Sequence, residues 1–155
     1  MPTRSAGLLL YRESATGIEV LIVHPGGPFW AKKDDGAWSI PKGEHSDDED
    51  PHACAIREFA EELGSSAPSG DGEDLDLGEV RLKSGKRVRA FARSGDLDAA
   101  AITSNTFETE WPPRSGRRQT FPEVDRAGWF TLDDARTKLN PAQAELIDRL
   151  AAALA

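Results

Sequence analysis

The sequence predicts an α/β domain of the layered α+β kind, and three observations carry that prediction. Two apolar runs, Ser5 to Tyr11 and Ile18 to His24, flank a polar turn and read as adjacent strands. A helical stretch follows, in which Ile56, Phe59, Ala60 and Leu63 recur at i, i+3, i+4 and i+7. Further strand-like segments and two capped helices complete the chain. Strands, a helix, more strands and late helices build layers without fixing their topology. At 155 residues the chain suits one domain, 1–155, with a single core, and no Pro/Gly/Ser-rich linker divides it.

Both runs of the opening pair, SAGLLLY and IEVLIVH, are apolar enough to be buried. The stretch from His24 to Gly36, HPGGPFWAKKDDG, holds too much proline and glycine for regular structure. A loop this long in a small domain is commonly functional or mobile. Phe29 and Trp30 within it either stack on a nucleobase or cap the core. Asp50 is a candidate N-cap with Pro51 in the first turn, where the acidic run Ser46 to Asp50 also suits the helix dipole. His45 and His52 flank that run and are expected in solvent. SSAPSGDG, residues 65–72, reads as the loop that follows the helix.

LDLGEVRL and RVRAFAR, joined through Ser84-Gly85, form a hairpin pattern with one basic face, Arg87, Arg89 and Arg93. Such a face is ordinarily solvated; bordering a cleft, it would favour a substrate with several phosphates. Phe107 to Trp111 reads as a strand ended by Pro112-Pro113. Arg114, Arg117 and Arg118 then make a basic loop, a polyphosphate clamp or a solubilising tip. Another strand ends at Trp129-Phe130. Thr131 with Asp134, and Asn140-Pro141 with Gln143, resemble capping signals before LDDARTKL and AQAELIDRLAAA.

Composition narrows the function. A net charge of -8 and a pI of about 4.9 argue against bulk attraction to duplex nucleic acid or an anionic membrane. No stretch approaches a membrane span and the N-terminal apolar run is too short for a signal sequence, so a cytoplasmic monomer or homodimer is expected. Cys54, the lone cysteine, excludes an internal disulfide and suits a small core position.

Chemistry concentrates on the first helix. At about 100° per residue, Glu58, Glu61 and Glu62 fall within one arc nearly opposite the Ile56/Phe59/Leu63 stripe. Glutamate-rich faces are usually just solvated. Three crowded carboxylates nevertheless repel one another unless a cation sits among them, and a hard divalent ion, Mg²⁺ or Mn²⁺, suits oxygen donors. The wider spacing decides between these readings. Gly43, Glu49 after five residues, Arg57 after seven more, then Glu58, Glu61, Glu62 and Gly64 resemble the signature box of the Nudix hydrolases. Every fixed polar or glycine position is filled, and the one departure is Ser65, where the family prefers an aliphatic residue.

The resemblance implies a Nudix fold, a mixed sheet in an α/β/α sandwich, and metal-dependent hydrolysis of a pyrophosphate linkage in a nucleoside diphosphate joined to another group. It implies metal binding by Glu58, Glu61, Glu62 and the Gly43 carbonyl, a supporting Glu49 and an Arg57 that pins the loop to the helix. The lead-in WSIPKG resembles that of enzymes acting on dinucleoside polyphosphates, such as diadenosine tetraphosphate, and on diphosphoinositol polyphosphates, with Lys42 facing phosphate. Family members often recruit one more late glutamate as general base or extra ligand; Glu123 is the first choice here and Glu110 the second. Trp30, Arg114, Arg117 and Arg118 complete the expected substrate contacts. Other readings are a nucleotide-sanitising triphosphate pyrophosphohydrolase, action on capped RNA ends, and a non-catalytic nucleotide-sensing module.

Overall fold

A computed structural model describes residues 4–70 and 72–155. The opening apolar runs form β1 (Arg4–Ser14) and β2 (Gly17–Pro25), paired antiparallel as expected, with Leu10 opposite Leu21. Then come the short β3 (Lys42–Glu44), α1 (Pro51–Leu63), the hairpin β4 (Leu75–Arg81) and β5 (Arg87–Ser94), an arm of β6 (Thr106–Glu110) and β7 (Arg118–Pro122), and β8 (Val124–Thr131). Helices α2 (Leu132–Lys138) and α3 (Ala144–Leu154) close the chain.

The main sheet runs β4-β5-β1-β2-β8, and β3 pairs with the start of β1. It is mixed because β1 and β5 lie parallel, Leu8 beside Phe91, while the other pairs are antiparallel. Alternation explains why the strand sequences are apolar throughout. Leu8, Leu10, Leu21 and Val23 point to the side where Cys54, Ala55, Phe59 and Leu63 of α1 pack. Leu9, Val20 and Ile22 point to the other side, onto Ala135 of α2, Leu139, and Leu146, Ile147 and Leu150 of α3. A sheet buried on both faces needs no polar side on its central strands. The result is the α/β/α sandwich, with the carboxylate helix alone on its layer of the two.

Caps account for the helix boundaries. Asp50 accepts from the Ala53 amide at 3.0 Å, Pro51 occupies the first turn, and Gly64 ends α1 in a left-handed conformation at φ 76°. Thr131 caps α2 through the Asp134 amide. Asn140 does not cap α3: its side chain accepts from Ala142 in the preceding turn. Gln143 is instead buried, accepting from the Ile40 amide and donating to the Ser39 hydroxyl, so it ties α3 to the segment entering β3. No described helix is long and apolar enough to cross a membrane.

Candidate functional site

The site begins where β3 crosses α1. A Cβ on Gly43 would lie 2.0 Å from the Glu58 carboxyl carbon and 2.2 and 2.4 Å from its oxygens. Only glycine lets strand and carboxylate approach this closely. The next amide, that of Lys42, donates to Glu62 Oε2 at 3.3 Å.

This packing corrects the helix faces expected from periodicity. Cys54, Ala55, Phe59 and Leu63 are the buried residues of α1, whereas Ile56 is half-buried. Glu62 does not share an open face with Glu61; its carboxylate is tucked against β3. A helical wheel carries no information about a strand laid along the helix. Burial pushes the Glu62 carboxyl up to about 8, aided by the negative charges of Glu58 and Glu123 and opposed by Lys42. Glu58 is also raised, first by burial and then by the charge of Glu61. Lys42 is lowered by burial and by Lys86 nearby.

Arg57 gathers the other acids. It meets Glu49 with two parallel bonds of 2.9 Å and reaches Glu58 at 2.9 Å and Glu61 at 3.2 Å. The bidentate fork to Glu49 pins the loop to the helix and holds the Glu49 carboxyl below its ordinary value. Among the described residues no three Asp, Glu, His or Cys side chains converge as a metal-binding group. Three glutamates, Glu49, Glu58 and Glu61, surround one guanidinium instead, with Glu62 apart at the Lys42 amide, and oxygen donors of that kind could hold a hard divalent cation. Cys54 is buried in the core and its thiol is pushed up to about 11, which keeps it unreactive.

A run of main-chain hydrogen bonds leads from α1 to a second feature. The Asn105 amide donates to the Glu61 carbonyl, Glu123 to Asn105, and Gly26 to Glu123, at 3.1, 2.8 and 2.9 Å. Glu123 thereby stands between the glutamate helix and a cleft of about 360 Å³ lined by the loop from Pro25 to Trp30 and by the arm at Phe107, Thr109 and Trp111. Phe29 is 64% exposed and meets Trp30 edge to face, with ring centroids 5.1 Å apart. Trp30 thus lines the cleft, where the sequence left it between a base contact and a core cap. Glu110 borders the same cleft.

The fully buried His24 fastens this loop. Its Nδ1 lies 2.9 Å from Asp125 Oδ1 and its Nε2 lies 2.6 Å from the Lys33 carbonyl. Sequence reasoning missed His24, Asp125 and Asn105, because each acts through a partner remote in the chain. The pairing of His24 with Asp125 spans 101 positions.

Several expectations land elsewhere. Arg114 and Arg117 lie in the turn of the arm, and Arg118 just beyond it binds Glu108 at 3.0 Å. Five-residue strands put that turn about 16 Å along the arm from Asn105 and Glu123, and no described ion pair joins these arginines to the α1 glutamates. The basic face of β5 is already neutralised: Arg87, Arg89 and Arg93 pair with Glu79, Asp76 and Asp74 of the neighbouring segment. His52 is only partly in solvent, its side chain 41% exposed. It stacks on Phe91 and meets Asp74 at 2.6 Å, because α1 packs over β5. His45 is half-buried, with Nδ1 against the Ser46 carbonyl.

A glutamate-bearing helix set by a Pro-Lys-Gly strand on one layer of an α/β/α sandwich is the architecture of a Nudix hydrolase. A NUDIX domain model matches residues 1–150, and the chain belongs to that family. It is 31% identical over 111 residues to mRNA-decapping enzyme subunit 2 of Arabidopsis thaliana; the match covers 72% of this chain and 24% of the relative, so the chain spans about a quarter of that protein's length. Among solved structures, a C. elegans Ap4A hydrolase superposes with a TM-score of 0.63 at 21% identity over the whole of both chains. The NUDIX domain of Shewanella oneidensis NrtR, complexed with ADP ribose, gives 0.67 at 16% identity, covering 100% of this chain and 90% of that one. At these identities the two structures share the fold.

Proposed function

We propose that the chain hydrolyses a pyrophosphate linkage in a nucleoside diphosphate joined to another moiety, with dinucleoside polyphosphates such as diadenosine tetraphosphate as the favoured class. The observation that carries this reading is that Glu58 and Glu61 share the Arg57 guanidinium, Glu58 lies against Gly43, and Glu62 is buried at the Lys42 amide, three carboxylates whose charge a divalent cation would relieve. Glu58, Glu61, Glu62 and the Gly43 carbonyl would hold Mg²⁺ or Mn²⁺. Such an ion, when bound, neutralises phosphate oxygens and acidifies a coordinated water.

The chain's own residues supply the rest. Lys42, beside the carboxylates on β3, offers a cation to a substrate phosphate. Arg57 is a positioning residue that fixes the Glu49 loop. Glu123, exposed and free of described side-chain partners, is a carboxylate outside α1 whose charge reaches Glu62, and it accepts the proton of the attacking water. Trp30 flanks the nucleoside end.

A product assay with diadenosine tetraphosphate, nucleoside triphosphates, nucleotide sugars and diphosphoinositol phosphates, with and without Mg²⁺, tests the reading. Glu61→Gln should abolish turnover with the circular dichroism spectrum intact; full activity in that variant refutes it. Nucleotide binding without turnover of any compound would instead favour a sensor. The Arabidopsis relative's name motivates a second reading, cleavage at a capped RNA end, which a capped oligonucleotide added to the panel tests.

A further inference from the structure

Glu123 is the single residue between β7 and β8, at the corner where the chain leaves the arm and enters the main sheet. Its carboxylate is exposed and meets no described side-chain partner, so nothing at the tip of the side chain holds it in place. The arm that precedes it is a two-stranded hairpin, an element that is marginally stable by itself. Where Glu123 stands relative to the α1 glutamates therefore depends on how the main chain is anchored at the corner.

Three hydrogen bonds anchor it. The Glu123 amide donates to the Asn105 carbonyl at 2.8 Å, and the Glu123 carbonyl accepts from the Gly26 amide at 2.9 Å. The amide of Val124, a residue 4% exposed, donates to the Ser104 hydroxyl at 2.9 Å. The first two bonds run from main chain to main chain, whereas the third depends on one side chain. Ser104 passes its own hydrogen to the Asn105 carbonyl at 2.7 Å, the same oxygen that receives the Glu123 amide. One hydroxyl and one carbonyl thus hold the amides on both sides of the Glu123 Cα.

Ser104 is itself seated on the carboxylate helix. The Thr103 amide donates to the Leu63 carbonyl and the Asn105 amide to the Glu61 carbonyl, each at 3.1 Å, filling acceptors that the last turn of α1 leaves open. Gly64 permits the contact, since a Cβ there would lie 2.2 Å from the Thr103 carbonyl oxygen. Residues 103–105 therefore move with α1, and the hydroxyl in their middle links α1 to the corner. We infer that Ser104 is a positioning residue of the hydrolase, which holds Glu123 at a fixed separation from Glu58, Glu61 and Glu62 through the Val124 amide. The inference rests on the reading in which Glu123 takes the proton of the attacking water. General-base catalysis contributes about 10²- to 10⁴-fold, and a displacement of about 1 Å costs up to about a hundredfold. Loss of the hydroxyl removes one anchor of three and leaves the buried Val124 amide without its acceptor, so part of that factor is lost with it.

Steady-state kinetics with Mg²⁺ tests this on diadenosine tetraphosphate, or on whichever compound of the panel turns over fastest. Ser104→Ala should lower kcat about tenfold with KM within about twofold, and Ser104→Thr, which keeps the hydroxyl, should restore most of the wild-type kcat. Glu123→Gln should lower kcat about a hundredfold. Ser104→Ala should add nothing in that background, because its effect passes through the carboxylate. Hydrogen exchange of the metal-free protein should find the Glu123 and Val124 amides about tenfold faster in Ser104→Ala, with the amides of the β1–β2 pair unchanged. A loss that persists in the Glu123→Gln background, a loss that threonine does not restore, or unchanged exchange at Val124 overturns the proposal. Unaltered kcat in Glu123→Gln refutes the proton acceptor, while unaltered kcat in Ser104→Ala beside a slow Glu123→Gln refutes Ser104 alone. If the unmodified protein hydrolyses no compound of the panel, the hydrolase reading fails and takes this inference with it.

Discussion

Glu62→Gln separates the demands of the site from those of the fold. The wild-type carboxyl is raised from an ordinary 4.5 to about 8, chiefly because it is buried against β3. A folded state that holds its proton more tightly than the unfolded chain loses stability as pH rises from 4.5 through 8, and the loss is complete above 8. At about 1.4 kcal/mol per pKa unit the ionised group costs at most roughly 4 to 5 kcal/mol, and water reaching the side chain lowers this to about 2 to 4 kcal/mol. Glutamine keeps the shape and an acceptor for the Lys42 amide while removing the charge. Urea denaturation in chelator should therefore find the variant close to wild type at pH 5 and about 2 to 4 kcal/mol more stable at pH 9. Excess Mg²⁺ should then raise the wild type at pH 9 and leave the variant almost unmoved, while hydrolysis is lost in the variant. A variant no more stable than wild type at pH 9, or a difference that does not grow with pH, would refute the account of a charge buried for the sake of a cation.

Other expectations follow from the same geometry. Gly43→Ala forces the Glu58 carboxylate away from a Cβ 2.0 Å distant, so turnover should fall at least a hundredfold, measured beside an unchanged dichroism spectrum. Phe59→Ala opens a cavity in the fully buried packing under α1 and should cost about 3 to 5 kcal/mol in chemical denaturation. Asp74, 5% exposed, is held low by Arg93 and then by His52, so its contribution is present above 3.8 and lost as pH falls through its lower folded value. Asp74→Asn should accordingly cost about 3 kcal/mol at pH 7 and much less near pH 2. His24→Phe removes both clamps on the aromatic loop and should raise KM more than it lowers kcat, a split that kinetics on a dinucleoside polyphosphate reads directly.

Much of the molecule was legible locally. The β1–β2 pair, the β4–β5 hairpin and the Asp50 and Thr131 caps all follow from residues within a few positions of one another. The spacing from Gly43 to Gly64 was equally plain, because function fixes residue types there at constant separations. Prediction faltered where a partner comes from far along the chain. His52 was assigned to water, yet Phe91 and Asp74 receive it. The three late arginines read as either a clamp or a solubilising tip, and a two-stranded arm carries them away from the glutamates toward its own turn.

The sequence by itself therefore determined most of the elements, the two apolar opening strands and which carboxylates the first helix carries. The tertiary structure alone decided how those carboxylates differ: β3 buries Glu62, Arg57 holds Glu58 and Glu61, and Glu123 stands at the mouth of an aromatic cleft. Periodicity along one helix encodes which residues share a face. It carries nothing about the strand, loop and hairpin that close over that face, and burial and neighbouring charge are what make identical side chains chemically unequal.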